Sequence, residues 1–422
     1  MPSTRAVSQS LTWRRGTAFG AFTLLASLAG MVAMFLSATV TDRPVLFLGT
    51  GWTTFAFGIL ASGRIIPRSS RRRITALTIT TLTIFGGAAL LLPGPRPETE
   101  LPNGYNIVTL PTGAKLAVLK LAARHSTRTP IMILHGGPGV PDLAANRRVF
   151  EPLTQYGADI YLYAQVGTGA SSRLGDPQGY SRGRDVADLE ALRQSLGLHR
   201  MILIGHSYGG AVAAQYLVEN SDKVAALILM SPMPLDPRDR SGDRVIDRLD
   251  IAQRLRLYRS VAFPRALTAY ALLQVNPRAA HAYFSDEEAD FRNDIVLQRA
   301  APALHCSEPH TNEPVEGTGF YAAQYPQSAT AMEPADMRGN LAGILTPTLI
   351  IKASCDYLSW SSAVDYKNRL VNSKLLYLSG AGHNMHQDKP EIVLDTIIAF
   401  LDQKPILDHA DSAAPPDYEG PP

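Results

Sequence analysis

Gly205-His206-Ser207-Tyr208-Gly209 sets a serine between two glycines at the end of an apolar run, 201–204. That run is too short for a helix and reads as a buried strand. The pattern of 210–219 is helical, so the serine falls on a sharp strand-to-helix turn. Gly205 and Gly209 remove the Cβ atoms that would crowd such a turn, leaving the hydroxyl clear. The competing reading is a helix N-cap, a position serine favours.

A serine hydroxyl becomes a nucleophile only with a base to take its proton, an acid to orient that base, and N–H donors for the oxyanion. His383 lies in Ser379-Gly380-Ala381-Gly382-His383, after a strand over 374–378 and before the last helix. His386 competes for the role, and the small residues before His383 favour it, because they let the loop fold over the site. Asp356 follows a strand over 348–353, although a loop aspartate ordinarily serves as a cap or turn residue. His135-Gly136-Gly137-Pro138-Gly139 follows a strand over 131–134, and its bare glycines let backbone approach a substrate oxygen. The oxyanion donors are then the N–H groups of Gly137 and Tyr208. His135 and His206 read as structural hydrogen-bonders. Ser207, Asp356 and His383 each lie past the carboxyl end of a strand, where open α/β sheets place their ligands. Their chain order is the one expected when the nucleophile sits on a strand-to-helix elbow. This chemistry calls for no metal and no organic cofactor.

The elements that must position these groups alternate. A hairpin over 105–110 and 114–121 is followed by strands at 131–134, 159–163, 201–204 and 224–230, with helices around 141–154, 184–196 and 210–219. From 233 to 344 the alternation breaks into helical stretches such as 243–259 and 287–300. It then resumes with strands at 348–351 and 374–378 and helices at 361–370 and 391–401. Such a pattern specifies a mostly parallel sheet carrying a helical cap. The proline-rich tail 407–422 reads as disordered.

Charge separates the first 95 residues from the rest. They hold nine Arg and one Asp, a net +8 in a chain whose total is +3. Segments 16–41, 44–63 and 74–95 carry no charged side chain, and each is long enough to cross a bilayer. Arginines precede the first span and crowd 64–73 after the second, whereas only Arg43 lies between the first and second. Positive-inside placement then puts the N-terminus in the cytoplasm and everything after the third span outside. A cleaved signal peptide is the rival, but its apolar core would be shorter and two further spans would remain. The basic charge is thus a membrane flank, with the lipid bilayer as partner, and no nucleic-acid motif is present. Cys306 and Cys355 can pair in an oxidising compartment or remain two buried thiols. The expected organisation is a membrane region over 1–96, a catalytic domain over 97–406 with its cap at about 233–344, and the tail.

H-G-G-P-G, G-H-S-Y-G-G, an Asp after a late strand and a late G-A-G-H together resemble the α/β-hydrolase superfamily, and within it the prolyl iminopeptidase branch. The resemblance covers about residues 103–403. It implies an eight-stranded α/β sheet, a helical cap after the sixth strand, and hydrolysis of a small-molecule or short-peptide substrate. It assigns Ser207 as nucleophile, Asp356 as orienting acid, His383 as base, and Gly137 with Tyr208 as oxyanion hole. Where the branch usually shows Asp-Gln-Arg-Gly-x-Gly, this chain has Ala164-Gln165-Val166-Gly167-Thr168-Gly169. The branch also holds its substrate's ammonium on cap carboxylates, for which Glu287, Glu288, Glu308, Glu313 and Glu316 are available. The expected function is a membrane-anchored aminopeptidase-like serine hydrolase. A carboxylesterase or lipase and a catalytically silent ligand sensor are the alternatives.

Overall fold

The computed structural model describes residues 4–97, 99–306, 315–332, 336–409 and 412–421. Three long helices come first: α1 (Thr4–Ala38), α2 (Pro44–Ser62) and α3 (Arg68–Leu91). Then follow β1 (Asn106–Thr109), β2 (Lys115–Leu121), β3 (Ile131–Leu134), α4 (Leu143–Phe150), β4 (Ile160–Tyr163), α5 (Arg182–Ser195), β5 (Met201–His206), α6 (Tyr208–Glu219) and β6 (Val224–Met230). The cap segment contributes α7 (Ile251–Val261), α8 (Pro264–Leu273), α9 (Pro277–Tyr283), α10 (Asp286–Ala300) and α11 (Phe320–Gln324). The chain closes with β7 (Thr348–Cys355), α12 (Trp360–Arg369), β8 (Ser373–Gly382), α13 (Met385–Asp388) and α14 (Pro390–Leu401).

The eight strands form one sheet in the order β1-β2-β4-β3-β5-β6-β7-β8. β1 and β2 make the expected antiparallel hairpin, β2 joins β4 antiparallel, and every other pairing is parallel. Parallel strands are covered on both faces and so read as unbroken apolar runs. β3, β4 and β7 are buried at every position. β5 lies between β3 and β6, and Leu134 pairs with Gly205, so the turns leaving β3 and β5 emerge side by side. β7 and β8 pair up to Cys355 and Gly382, which brings the residues after each strand together.

The chain divides into two compact units. One gathers Met1–Gly94 with Ala262–Ser285 and Ser328–Thr330; the other holds the remainder, including the sheet. The first departs from the expected boundary, because part of the cap segment belongs with the long helices. Arg265, in α8, donates to the Leu90 carbonyl at 2.9 Å, and the Tyr283 hydroxyl reaches the same oxygen at 2.7 Å. Asn276 Nδ2 donates to Ala38 O at 2.8 Å. These carbonyls belong to helix ends, where the last turn lacks intrahelical donors, so α8 and α9 supply what the helices cannot.

Within that unit α1 and α2 approach closely through small residues. A Cβ on Gly51 would fall 2.8 Å from Met34 Cβ, and one on Gly58 would fall 2.7 Å from Ala26 Cβ. Such contacts are how helices pack where lipid removes the hydrophobic drive between them. Trp13–Ala38, Pro44–Ile65 and Arg68–Leu91 are long and apolar enough to cross a membrane. α3 starts at Arg68, so the arginines expected in a loop form its first turns; Pro67 halts the preceding chain and arginine suits a helix.

The tail also departs from expectation. Residues 412–421 lie along the ends of β7 and β8. Trp360 N donates to Pro421 O at 2.8 Å, Glu419 N to Ser354 O at 2.9 Å, and Ser379 Oγ to Asp417 at 2.7 Å. Tyr418 packs its ring on Trp360 at 5.5 Å and donates its hydroxyl to Leu358 O. One aromatic pair, Trp360 buried and Tyr418 half-buried, and several backbone bonds order a segment whose composition alone reads as unstructured.

Candidate active site

Ser207 has φ 53° and ψ −118°, a strained backbone that side-chain-bearing residues rarely adopt. Its N–H donates to Met230 O at 3.0 Å, and its carbonyl accepts from Met233 N at 3.0 Å, so β6 and the residues after it hold the strain. Its side chain makes no capping bond to α6, which removes the N-cap reading. A Cβ on Gly205 would lie 2.5 Å from Gly209 O, and one on Gly209 would run into Leu134 O. The two glycines are therefore required by the close passage of β3, β5 and α6. Gly136 packs directly on the turn, where a Cβ would stand 3.2 Å from Ser207 Cβ. Gly137 has φ 120° and a Cβ there would strike Gly139 N at 2.5 Å.

Asp356 and His383 are brought together: His383 Nδ1 and Asp356 Oδ1 are 2.8 Å apart, and both residues are buried. The same oxygen accepts from Leu358 N at 3.1 Å, so Asp356 is a turn residue as well as a partner for the imidazole. Its other oxygen accepts from Lys352 Nζ at 2.6 Å, and neither side chain is exposed to water. Burial by itself would raise the Asp356 carboxyl; the Lys352 and His383 charges hold it well below the ordinary carboxylate range. The Tyr357 hydroxyl lies 3.4 Å from His383 Nε2. Burial pushes that phenol up, so it stays protonated. Neither Lys352 nor Tyr357 was identified from sequence, although a lysine inside the apolar run Leu349-Ile350-Ile351-Lys352-Ala353 was a readable signal.

His386 lies beside this group but takes no part in the Asp356 hydrogen bond, its ring 4.8 Å from that of His206. It is buried, its ring stacks on Phe150 at 5.8 Å, and its Nδ1 has no hydrogen-bond partner among the described residues. Burial, then the His383 and His305 charges, push it down to about 3. His206 Nε2 donates to the His383 carbonyl at 3.0 Å, and burial with its histidine neighbours keeps it neutral. His135 accepts from Gln165 N at 2.9 Å and is pushed down to about 4 by burial. Both hydrogen-bond to backbone.

Cys306 and Cys355 form a disulfide that ties the cap segment to the residue before Asp356. Residues 304–306 also back the histidine loop, since a Cβ on Gly382 would meet His305 Cα at 2.5 Å and Asn384 N donates to Leu304 O at 2.9 Å. Cys306, Cys355 and Glu419 bring ligand atoms within 4.8 Å of one another, but with the sulfurs joined they offer no thiolates to a metal.

The loop that lacks the branch's Asp and Arg is supported otherwise. Gln165 Nε2 donates to His135 O at 3.2 Å. Arg173 donates to the Ser171 carbonyl at 2.7 Å and to that of Gly169, and it pairs with Asp290 of α10 at 2.9 Å. Among the cap carboxylates, Glu287 and Glu316 are exposed, whereas Glu288 is fully buried with Arg96 at 3.5 Å. Glu308 and Glu313 lie outside the described residues. Asp290 is pushed up to about 7 by burial, against the opposing charge of Arg173.

Fold and site together define a serine hydrolase built on a mostly parallel eight-stranded sheet. The family model for the alpha/beta hydrolase fold matches residues 129–390, and the chain belongs to that family. It is 25% identical over 291 residues to a proline iminopeptidase of Lactobacillus helveticus, covering 67% of this chain and 93% of that one. It is 27% identical over 305 residues to a (Lyso)-N-acylphosphatidylethanolamine lipase of Bos taurus, covering 68% and 82%. The solved structure of VinJ shares the fold, with a TM-score of 0.50 at 16% identity over 72% of this chain and 99% of that one.

Proposed function

We propose that this chain is a membrane-anchored hydrolase that cleaves an amide or ester through an acyl-enzyme, acting on substrates with a free N-terminal residue. The Asp356–His383 bond at 2.8 Å, with the Tyr357 hydroxyl 3.4 Å from His383 Nε2, carries the reading. Ser207 Oγ attacks the carbonyl carbon while His383 Nε2 takes its proton, and Asp356 holds the imidazole in the tautomer that leaves Nε2 free. The Gly137 and Tyr208 amides receive the oxyanion, each contributing about 3–4 kcal/mol to the transition state. His383 returns the proton to the leaving group, and water releases the acyl chain by the same steps. The three apolar helices cross the bilayer with the N-terminus in the cytoplasm and the catalytic unit outside, a placement that the disulfide supports.

A second reading, hydrolysis of acyl esters from lipid, is favoured by those same helices and by the likeness to a lipase. The full-length protein in detergent, with Ser207→Ala as control, decides between them. Turnover of proline and alanine arylamides supports the peptidase; turnover of p-nitrophenyl esters or N-acylphosphatidylethanolamine alone supports the lipid esterase. No turnover of any would leave the silent ligand sensor.

A further inference from the structure

Lys352 occupies β7 four residues before Asp356, and its side chain is wholly excluded from water. Its ammonium donates to Asp356 Oδ2 at 2.6 Å and to the Leu358 carbonyl at 3.0 Å. A serine, a histidine and an aspartate complete the proton relay without it. Taking an ammonium out of water is costly, and replacing a whole buried ion pair by apolar side chains of similar volume is often neutral or stabilising, so a carboxylate kept for another purpose is what keeps the lysine in place. Packing therefore does not account for the lysine. What it alone provides is a positive charge on the far side of the carboxylate that faces His383.

We propose that Lys352 is a positioning residue for the hydrolysis assigned above: acting through Asp356, it fixes the carboxylate against His383 Nδ1 and offsets its charge. An unopposed Asp356 would favour the imidazolium; the lysine weakens that preference while leaving the Nδ1 hydrogen bond intact. The other groups around the pair do not replace it. Asp239, held by Ser359 Oγ, faces Lys352 and shares its charge, and the Tyr418 ring lies 5.9 Å from Nζ. Arg248 near Tyr418 is paired with Glu419 at 3.5 Å. His206, His386 and Tyr357 surround His383 and are all held neutral by burial.

The test is the pH dependence of kcat/KM in full-length Lys352→Met and Lys352→Gln, on whichever substrate class the wild type turns over. Both variants are expected to move the acidic limb upward by roughly one to two pH units. Glutamine keeps a donor but no charge, so a packing or hydrogen-bonding role would be rescued by it and would leave the limb in place. A stationary limb in both variants overturns the proposal. Should neither variant reach the wild-type Tm, Asp239→Asn decides: removing a carboxylate that opposes Lys352 must move the limb downward, and no movement overturns the proposal. The inference rests on Ser207 being the nucleophile. Wild-type protein that fails to react with a fluorophosphonate overturns both readings, whereas normal labelling with an unmoved limb overturns this one alone.

Discussion

Replacing Asp356 by Asn separates what the carboxylate does for catalysis from what it does for stability. Among the described residues, its oxygens meet three hydrogen-bond partners that act as donors: His383 Nδ1 and Leu358 N on one side, Lys352 Nζ on the other. An amide has only one accepting end. If its NH2 faces His383, the imidazole must carry its proton on Nε2 and cannot take one from Ser207. If it faces Lys352, two donors collide and the ammonium loses its counter-charge in a dry site. We expect kcat to fall by about 10⁴, equivalent to about 5.5 kcal/mol of barrier. The stranded lysine should cost about 3–5 kcal/mol of stability. Asp356→Asn combined with Lys352→Met should regain most of the lost Tm and none of the lost kcat. The assay is ester or arylamide turnover beside thermal unfolding of the same samples. A single variant within tenfold of wild-type kcat, or a double variant no more stable than the single, would refute the reasoning.

Two further outcomes follow from the same geometry. The Cys306–Cys355 bond closes a separation of 49 residues, worth about 4 kcal/mol by loop entropy, so reductant or Cys306→Ser should lower Tm, and kcat should fall because Asp356 adjoins Cys355; an unchanged melt would count against it. His135 and His386 are neutral in the fold, at about 4 and about 3, while their unfolded forms take up protons near pH 6.5. Stability is then complete above pH 6.5 and falls as pH drops toward those values, by up to about 1.4 kcal/mol per pH unit for each histidine. His386→Leu should flatten that slope by as much as one proton between pH 6.5 and 3, as read from denaturant midpoints across pH; an unaltered slope would show that His386 is not buried neutral.

The sequence by itself determined whatever depends on neighbours in the chain. Apolar runs such as 131–134 and 224–230 match β3 and β6 residue for residue, because strands buried on both faces need continuous apolar sequence. The Ser207 turn was legible because Gly205 relieves a collision with Gly209 O four residues on, although the need for Gly209 comes from Leu134 of β3. Tertiary structure alone decided what depends on which ends meet. His383 and His386 are three residues apart and equally plausible in isolation; the β7–β8 pairing places one on Asp356 and buries the other against Phe150. Tyr357 joins the site because its ring packs on His383 at 4.5 Å, and Lys352 acquires meaning only from the carboxylate above it. The attachment of α8 and α9 to the long helices runs through the Leu90 and Ala38 carbonyls, which every residue possesses and no sequence pattern marks. Local sterics and hydrophobic period are written in adjacent residues, whereas hydrogen-bond partners far apart in the chain exist only once the chain has folded.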